Sequence, residues 1–342
     1  MKLQHPLYEL LQALAALARE CVSQSLRTAT AGERSQVLAH AGSDVIFAID
    51  REVERGVVRL LEAQAEAVGG VVLVAEGIGE NERSIYPKGR AAGDCRWRML
   101  MDPIDGTRGI MMDKRSAWFI AAVAPNLNED TWLRHVEISI LAELPHSRAG
   151  FADVFCAVKG QGVEALRKAL LTDQKDMRLA VEPYAGNSIR GGFAQLVRFF
   201  PGGRVETAIL EEALWARLFP DAEAGEVLGY EDQYICTGGQ WVELMTGRDR
   251  FCADLRPLLF DSKLFAGKRR GFSCHPYDMA GLLVAEEAGI VITDVDGAPL
   301  DAPFDTLTEC NWIGYANEEI RRQVEPVLHD LLREQGWFSS ST

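Results

Sequence analysis

The sequence predicts a mixed protein, with a first half of α+β type followed by a second half of α/β type. Three strand-like runs separated by turn signals lie between residues 117 and 162, which is consistent with an antiparallel sheet. Beyond them, strand and helix patterns alternate, as in a layered α/β lobe. With 342 residues, the chain exceeds one average domain, which favours two closely packed lobes. We place their division near residue 170, giving lobes of residues 1–170 and 171–342.

The first elements are a helix and a strand-to-helix junction. Apolar residues recur at helical spacing in the opening segment, with Glu9 among them, which predicts an amphipathic first helix rather than a signal peptide. The segment DVIFAIDREVERGVVRLLEAQAE (44–66) begins with strand alternation and takes on a helical period near Asp50. The run VVLVAE (71–76) then predicts a buried strand that ends at Glu76.

The following segments predict a loop, a strand and a helical region. Residues 77–94 are polar and contain glycine and proline, which predicts a long exposed loop. The run CRWRMLMD (95–102) predicts a strand that ends at Asp102. A helix-rich region is expected from about Val163. Later, a helix is expected near Tyr277, followed by the strand-like run IVITDVDG.

Composition excludes several classes of function. The formal charge of −14 argues against binding a nucleic acid polymer, which requires cationic side chains to neutralise phosphates. It does not exclude a phosphorylated small molecule, because bound divalent cations reverse the local field. Seven scattered cysteines without a CxxC pair predict reduced thiols and a cytoplasmic location. No run approaches the roughly 20 apolar residues that cross a bilayer, so we expect no membrane partner.

Four acidic residues fall where α/β folds place their sites. Glu76 and Asp102 end apolar strands, Asp105 lies in the turn that follows, and Asp278 precedes a helical pattern. Hard cations such as Mg²⁺ bind carboxylate, carbonyl and water oxygens and leave positions for a substrate phosphate. Four carboxylates that converge from two lobes would suit such ions.

The motif DPIDGT (102–107) joins two of these acids in one turn. Pro103 stiffens the turn, so that both aspartates and the carbonyl of Ile104 can point to one side. Gly106 allows a ligand to approach closely, and if it opens a helical turn with Thr107, the free N–H groups would bind an anion. In a chain with 50 acidic residues, however, a DxxD turn alone is more often a solvated loop. Other motifs in the chain are therefore needed to distinguish a metal site from a solvated loop.

Several separated motifs resemble the inositol monophosphatase family. This family comprises magnesium-dependent, lithium-sensitive phosphatases and includes fructose-bisphosphatases and bisphosphate nucleotidases. The motifs are FAID ending at Asp50, the strand ending at Glu76, DPIDGT, CAVKGQG (156–162) and HPYDMAGLLVAEEAGIVITDVDG (275–297). The likeness runs from about residue 40 to about residue 320. It implies a layered αβαβα sandwich of the sugar-phosphatase type, and a homodimer, since relatives are frequently dimers.

The resemblance also implies a role for each matching residue. The implied ligands of two or three Mg²⁺ ions are Glu76, Asp102, Asp105, Asp278 and the main-chain carbonyl of Ile104. The implied catalytic residues are Thr107, Asp50 and Glu76, and the implied substrate contacts are Gly106, Thr107 and Asp254. Thr107 would orient and help deprotonate the attacking water, while Asp50 accepts a hydrogen bond from its hydroxyl. The first lobe would carry most metal ligands, and the second would carry Asp278 and the substrate contacts.

Two departures from the family pattern leave alternatives open. Gly77 stands where the family commonly has a second glutamate, so either Glu80 or Glu82 contributes through water or one metal position is weaker. Bulky and acidic residues occupy positions 230–232, where small residues are common. The substrate therefore cannot be carried over from the family.

Two basic clusters and one histidine also have alternative interpretations. Arg108, Lys114 and Arg115 either approach an anionic substrate or form a solvated basic edge, which we favour. Lys268, Arg269 and Arg270 either bind a second phosphate or form a solvated charge run, the commoner meaning of such a cluster. His275 is expected to be a hydrogen-bonded structural residue, because Mg²⁺ prefers oxygen ligands.

The expected function is that of a Mg²⁺-dependent phosphomonoesterase acting on a small phosphorylated metabolite, an inositol phosphate or a sugar phosphate. One alternative is an enzyme similar to a bisphosphate nucleotidase or a fructose-bisphosphatase, for which the basic residues around Lys268 are the only hint. Another is a non-catalytic, metal-binding regulatory relative, suggested by Gly77. Asp50 and Thr107 discriminate between them, because a non-catalytic protein has no need of a water-activating pair.

Overall fold

The computed structural model describes residues 3–41, 44–79, 81–171 and 174–338. The α-helices in these ranges are α1 (Tyr8–Thr28), α2 (Ala31–Arg34), α3 (Ala48–Gln64), α4 (Thr107–Ile110), α5 (Arg204–Leu218), α6 (Thr237–Met245), α7 (Arg256–Asp261), α8 (Leu282–Glu287) and α9 (Glu318–Glu334). The strands are β1 (Val37–Ala41), β2 (Asp44–Phe47), β3 (Val71–Ala75), β4 (Arg83–Tyr86), β5 (Trp97–Asp105), β6 (Ala117–Pro125), β7 (Ile138–Leu144), β8 (Phe151–Val158), β9 (Val163–Ala169), β10 (Met177–Arg178), β11 (Gly192–Leu196), β12 (Gly229–Tyr230), β13 (Asp249–Asp254), β14 (Val291–Thr293) and β15 (Trp312–Tyr315).

The strands of the described residues form two main sheets. The larger has eight strands in the order β10-β9-β8-β7-β6-β5-β3-β4. Neighbouring strands in this sheet run antiparallel, except that β3 and β5 run parallel to each other. The smaller has five strands in the order β12-β11-β13-β15-β14. The larger sheet reaches Arg178 and the smaller begins at Gly192; the assignment of two lobes divided near residue 170 stays a prediction.

The larger sheet lies between two helical layers. Along β5, Met99 and Met101 face a hydrophobic cluster with α1 and α3, whereas Leu100 faces a second cluster with α6 and α8. This alternation follows from the two-residue period of a strand. Every residue of β5 is buried, because helices cover both faces of the sheet.

The smaller sheet adds the remaining layers. Cys252 of β13 packs into the cluster that contains α6 and α8, while its neighbours Phe251 and Ala253 face a third cluster built from α5 and α9. The order of layers is therefore α1 and α3, the larger sheet, α6 and α8, the smaller sheet, and α5 and α9. This is the layered αβαβα sandwich that the resemblance implied.

The prediction of a helix-rich region from about Val163 is wrong. Residues of β9 pair antiparallel with β8, and β10 extends the same sheet. Between residues 163 and 203 the structure contains strands and loops where it is described, and α5 begins at Arg204. The segment VEALRKA is rich in helix-forming residues, but pairing with the neighbouring strand outweighs this weak local preference.

The loop expected over residues 77–94 is also only partly correct. Within it, β4 (Arg83–Tyr86) pairs antiparallel with β3 at the edge of the larger sheet. The expected first helix and the strand-to-helix junction near Asp50 are confirmed by α1 and by the start of α3 at Ala48. Within the described ranges, no helix is both long and apolar enough to span a membrane.

Candidate active site

A break in strand β5 brings two carboxylates to the same side. In a regular strand, residues three apart face opposite sides, but the pairing of β5 with β6 is interrupted between Asp102 and Asp105. Pro103 lies in this interruption and has no N–H to donate to the neighbouring strand. The irregular turn lets both aspartates point into one cavity, as the motif DPIDGT predicted.

A third carboxylate reaches the same point from the second half of the chain. Asp278 lies in the turn before α8, where its carboxylate accepts a hydrogen bond from the N–H of His275 at 2.7 Å. Asp102, Asp105 and Asp278 each place one carboxylate oxygen within 4.8 Å of the others. All three are buried. We call these three residues the acid cluster.

Main-chain donors orient the two aspartates of β5. The N–H of Ile104 donates to Asp102 at 2.8 Å, and the N–H of Gly238 donates to Asp105 at 2.7 Å. Gly238 lies in the first turn of α6, whose unpaired N–H groups attract negative charge. The acid cluster is thus held by both halves of the chain.

The acid cluster suits a hard cation. Burial raises the pKa of Asp102 well above its ordinary value, and the charges of Asp105 and Asp278 raise it further. Burial also raises the pKa of Asp105 to about 6, although hydrogen bonds from α6 oppose the shift. Buried carboxylates this close repel one another unless a cation compensates them. Their oxygen atoms are the donors that Mg²⁺ prefers, so the residues fit such an ion.

The other expected metal ligands and catalytic residues line the same cavity. Glu76 follows the end of β3 and lies on the cavity lining. Ile104, whose main-chain carbonyl is an expected metal ligand, lies on the same lining. The hydroxyl of Thr107 lies 3.2 Å from Oδ1 of Asp50 and 2.8 Å from the carbonyl oxygen of Ile104. Oδ2 of Asp50 accepts the N–H of Phe47 at 2.8 Å, which anchors the acid at the start of α3. The expected pairing of Thr107 with Asp50 is therefore present.

Gly106 occupies a position where a side chain would be strained. Its φ is +96°, a region that glycine adopts without steric cost. A Cβ atom there would lie 3.1 Å from Cβ of Cys236 and 3.2 Å from the carbonyl oxygen of Ile235. Helix α4 begins at the next residue, Thr107, so the expected helical turn exists.

One part of the cavity lining is aromatic and basic. The cavity has a volume of about 840 Å³ when its open mouth is included. Phe199, Phe200 and Phe272 lie on its lining with the guanidinium groups of Arg108 and Arg256. We call these five residues the aromatic wall. Of these five residues, only Arg108 was considered a possible substrate contact from the sequence. The two adjacent phenylalanines that follow β11 were the only sequence signal for the aromatic part of the site.

Asp254 does not lie on the cavity lining, so the expected substrate contact is not supported. Its side chain is 1% exposed. Oδ1 of Asp254 accepts a hydrogen bond from Nε of Arg256 at 2.8 Å, and Oδ2 accepts one from the thiol of Cys274 at 3.0 Å. These donors engage both carboxylate oxygens of Asp254. Arg256 lies on the cavity lining, and Asp254 holds its guanidinium group in place.

The basic residues after Thr107 differ in their surroundings. Arg108 lines the cavity, so the solvated-edge interpretation is wrong for this residue. Arg115 pairs with Asp232 at 2.6 Å and lies over the ring of Tyr234. Lys114 is exposed and does not line the cavity, as the solvated-edge interpretation predicts.

The second basic cluster forms a solvated charge run, as favoured. Lys268 and Arg270 are exposed, pair with Glu206 and Asp261 respectively and do not line the cavity.

His275 is buried and its ring lies parallel to that of a neighbouring tyrosine, with Nδ1 3.3 Å from its hydroxyl. The expected structural role of this histidine is confirmed.

Gly77 stands where the resemblance leads us to expect a second glutamate, and Glu82 follows it in the chain. Gly77 lines the cavity with a φ of +72°. Its N–H donates to the carboxylate of Glu82 at 3.4 Å, and Glu82 itself is not on the lining. Glu80 lies outside the described residues. Glu54 does line the cavity; it was missed, although four residues after Asp50 on a helix is the spacing that shares a face.

Other cavity residues were also missed by the sequence interpretation. They are Phe47, Ile235, Cys236, Thr237, Ser273, Cys274 and Tyr277. Cys236 caps α6, where its sulfur accepts the N–H of Gly239 at 3.3 Å. Burial raises the pKa of Cys236 well above its ordinary value. It is therefore a neutral thiol, in keeping with seven free cysteines that all lie in the described ranges.

Comparison with known proteins identifies the fold. No protein-family model and no curated protein matches the chain. Among solved structures, the extragenic suppressor protein SuhB from Bartonella henselae has 17% sequence identity and a TM-score of 0.62, covering 95% of this chain and 98% of that one. The Thermotoga maritima IMPase has 17% identity and a TM-score of 0.56, covering 96% and 100%. An inositol monophosphatase-fructose 1,6-bisphosphatase has 16% identity and a TM-score of 0.58, covering 91% and 96%. The expected resemblance is thus confirmed at the level of the fold.

Proposed function

We propose that the protein is a Mg²⁺-dependent phosphomonoesterase that hydrolyses a small phosphorylated metabolite. The observation that carries the proposal is the acid cluster, in which Asp102, Asp105 and Asp278 converge beside the hydrogen-bonded pair of Thr107 and Asp50. The likeness of the fold to structures described as inositol monophosphatases supports the same activity. The acid cluster and the aromatic wall line one concave site, the kind of surface that binds small molecules.

The residues that would hold the cations are the acid cluster, Glu76 and the carbonyl of Ile104. Bound Mg²⁺ would neutralise the phosphate, lower the pKa of water and stabilise the charge that develops on the leaving oxygen. The protein then needs to supply mainly position and charge, because phosphoryl transfer requires little covalent chemistry from side chains.

Two parts of the chain would position the reactants. The Thr107 hydroxyl lies within hydrogen-bond distance of both Asp50 and the carbonyl oxygen of Ile104. When its hydrogen is donated to Asp50, the hydroxyl oxygen would accept a hydrogen bond from the attacking water. The main-chain N–H groups at the start of α4, next to Gly106, would bind the phosphate oxygens. Water attacks phosphorus, the bond to the ester oxygen breaks, and inorganic phosphate and an alcohol are released.

The alternatives find less support. A bisphosphate-specific enzyme was suggested by Lys268 and Arg270, but these residues form ion pairs outside the cavity. A non-catalytic relative has no use for a threonine hydroxyl within hydrogen-bond distance of a part-buried aspartate on the cavity lining, which this chain retains. Hydrolysis therefore remains the function that the geometry supports best.

Activity on a panel of phosphorylated metabolites tests the proposal. Release of phosphate should require Mg²⁺ and should fall when Li⁺ is added. Asp102→Asn, which preserves shape but removes a charge, and Thr107→Ala should each lower kcat about 100- to 1000-fold, a loss typical of a group that stabilises or positions the transition state. Asp296→Asn, at an exposed acid outside the cavity, is the matched control. Unchanged turnover in the first two variants would contradict the proposal.

The oligomeric state and the location belong to the same proposal. We propose a homodimer in the cytoplasm, as the family resemblance and the reduced cysteines led us to expect. Sedimentation velocity of the purified protein tests the dimer, since a single species at the monomer mass of 37.8 kDa would contradict it.

A further inference from the structure

The aromatic wall is an ordered array rather than a group of isolated side chains. The rings of Phe199 and Phe200 meet edge to face with centroids 4.9 Å apart, and those of Phe200 and Phe272 do so at 5.8 Å. The guanidinium carbon of Arg108 lies 5.2 Å from the Phe200 ring and 5.3 Å from the Phe272 ring. Arg256 lies over Phe199 at 4.7 Å. These contacts combine aromatic pairs with cation–π interactions.

The array lies where the leaving group of a bound phosphate ester would extend. The aromatic wall and the acid cluster line one cavity. If the phosphate binds at the acid cluster and the N–H groups of α4, the ester oxygen must direct the rest of the molecule away from the acids. The lining there includes the rings and guanidinium groups of the wall and the apolar side chain of Ile235, together with the polar side chains of Thr237 and Tyr277.

Two polar side chains near the aromatic wall are already engaged in hydrogen bonds. Asp254 is buried and its carboxylate is held by Arg256 and Cys274. Oγ of Ser273 donates to a carboxylate oxygen of Glu309 at 2.5 Å. A polyol buried against phenyl rings would lose hydrogen bonds to water without replacing them, which is unfavourable.

We propose that the aromatic wall binds an aromatic ring in the leaving group, so that the substrate is a phosphate monoester of an alcohol bearing such a ring rather than of a polyol. This inference rests on the proposed phosphatase activity and narrows its substrate class. A planar ring offers both a face and an edge to the phenyl groups of Phe200 and Phe272, and a face to the guanidinium group of Arg108.

Three esters of primary alcohols test the inference in the wild-type protein. They are benzyl phosphate, cyclohexylmethyl phosphate and glucose 6-phosphate. Because all three release a primary alcohol, differences in kcat/KM report mainly how the leaving group is bound. We expect benzyl phosphate to exceed cyclohexylmethyl phosphate by about three- to tenfold, the usual advantage of an aromatic pair over equal apolar area, and to exceed glucose 6-phosphate by more.

Two substitutions locate the preference on the wall. Phe200→Leu and Phe272→Leu keep an apolar side chain but remove the ring, so the ratio of kcat/KM for benzyl to cyclohexylmethyl phosphate should fall towards one. Phe193→Leu is the control, because Phe193 is 39% exposed, contacts Tyr230 and lies outside the cavity. Its ratio should stay at the wild-type value. A ratio that is unchanged in both wall variants would overturn the inference.

The outcomes separate this inference from the proposed activity. If glucose 6-phosphate is the best of the three esters, the phosphatase proposal stands and the aromatic leaving group is wrong. If no ester is hydrolysed, calorimetric binding of benzylphosphonate and cyclohexylmethylphosphonate in the presence of Mg²⁺ decides. Preference for the benzyl compound that is lost in Phe200→Leu supports the wall as a binding site, and equal affinities reject it.

Discussion

The acid cluster and the aromatic wall line one cavity, but the chain builds them differently. Two of the three acids lie in a single turn at the end of β5, and the third lies directly before α8. The aromatic residues are spread over residues 199–272 and are brought together by packing. A cation restricts the type and spacing of its ligands, whereas a leaving group requires only a complementary surface. The acid cluster is therefore built largely from one short motif, and the aromatic wall is not.

Removing the support of the aromatic wall should produce the largest effect. Asp254→Ala leaves the buried guanidinium group of Arg256 without its partner, which should lower the free energy of unfolding by about 3–5 kcal/mol. Urea denaturation measures this. Asp261→Ala breaks an exposed pair with Arg270 and should cost about 1 kcal/mol or less. If Asp254→Ala lowers kcat/KM while stability is unchanged, Asp254 contacts substrate after all.

A substitution at Gly106, beside the acid cluster, should have an intermediate effect. Gly106→Ala places a Cβ atom against Cys236 at a φ of +96°, so we expect a loss of about 1–3 kcal/mol in stability. Displacement of the adjacent Thr107 should also reduce kcat, by as much as about 100-fold. Thermal unfolding and phosphate release measure the two effects. Gly93→Ala, where a Cβ atom would have no neighbour within 4 Å, should change neither.

A buried acid outside the cavity sharpens the contrast with the acid cluster. Burial raises the pKa of Asp249 to about 7, and the charges of Glu243 and Asp232 contribute. The folded state therefore holds a proton that the unfolded state releases near its ordinary pKa of about 4. Stability from this group is complete below about pH 4 and is lost as the pH rises through about 7.

Asp249→Asn should remove that loss. We expect a gain of up to about 4 kcal/mol in the free energy of unfolding at pH 8, since about 1.4 kcal/mol accompanies each tenfold change in proton affinity, and a smaller gain of about 1 kcal/mol at pH 5. Phosphate release should be unaffected, because Asp249 does not line the cavity. Denaturation curves at both pH values measure the effect; equal gains at the two pH values would show that titration of Asp249 is not the cause.

The contrast between the acid cluster and the aromatic wall also explains which features the sequence could predict. The acid cluster was predictable because an oxygen-lined cation site needs carboxylates at strand ends and in tight turns, and DPIDGT provides both. Strands such as β5 and β6 were predictable from apolar runs bounded by turn signals, whereas the order of the layers was implied by the resemblance to a known family. Val163–Ala169 was mistaken for helix because Glu, Ala, Leu, Arg and Lys favour helices locally, and only pairing with β8 makes the segment a strand.

The remaining site residues carried no local signal of comparable strength. Phe199, Phe200 and Phe272 are equally typical of a hydrophobic core, and only their position in the folded chain exposes them to the cavity. Asp254 was predicted to face substrate because the sequence does not show that its carboxylate is already bound by Arg256 and Cys274. Whether an acid is available depends on its neighbours in space.

The hydrogen bond from Gly238 to Asp105 crosses from the helix layer between the sheets to the end of β5, and Asp278 joins the same cluster from beside α8. An ion seated among these acids would cross-link the two halves, because neither half holds a complete set of ligands. Separating the halves would release the ion, and binding the ion would oppose their separation. Unfolding and loss of the ion should therefore be one concerted event.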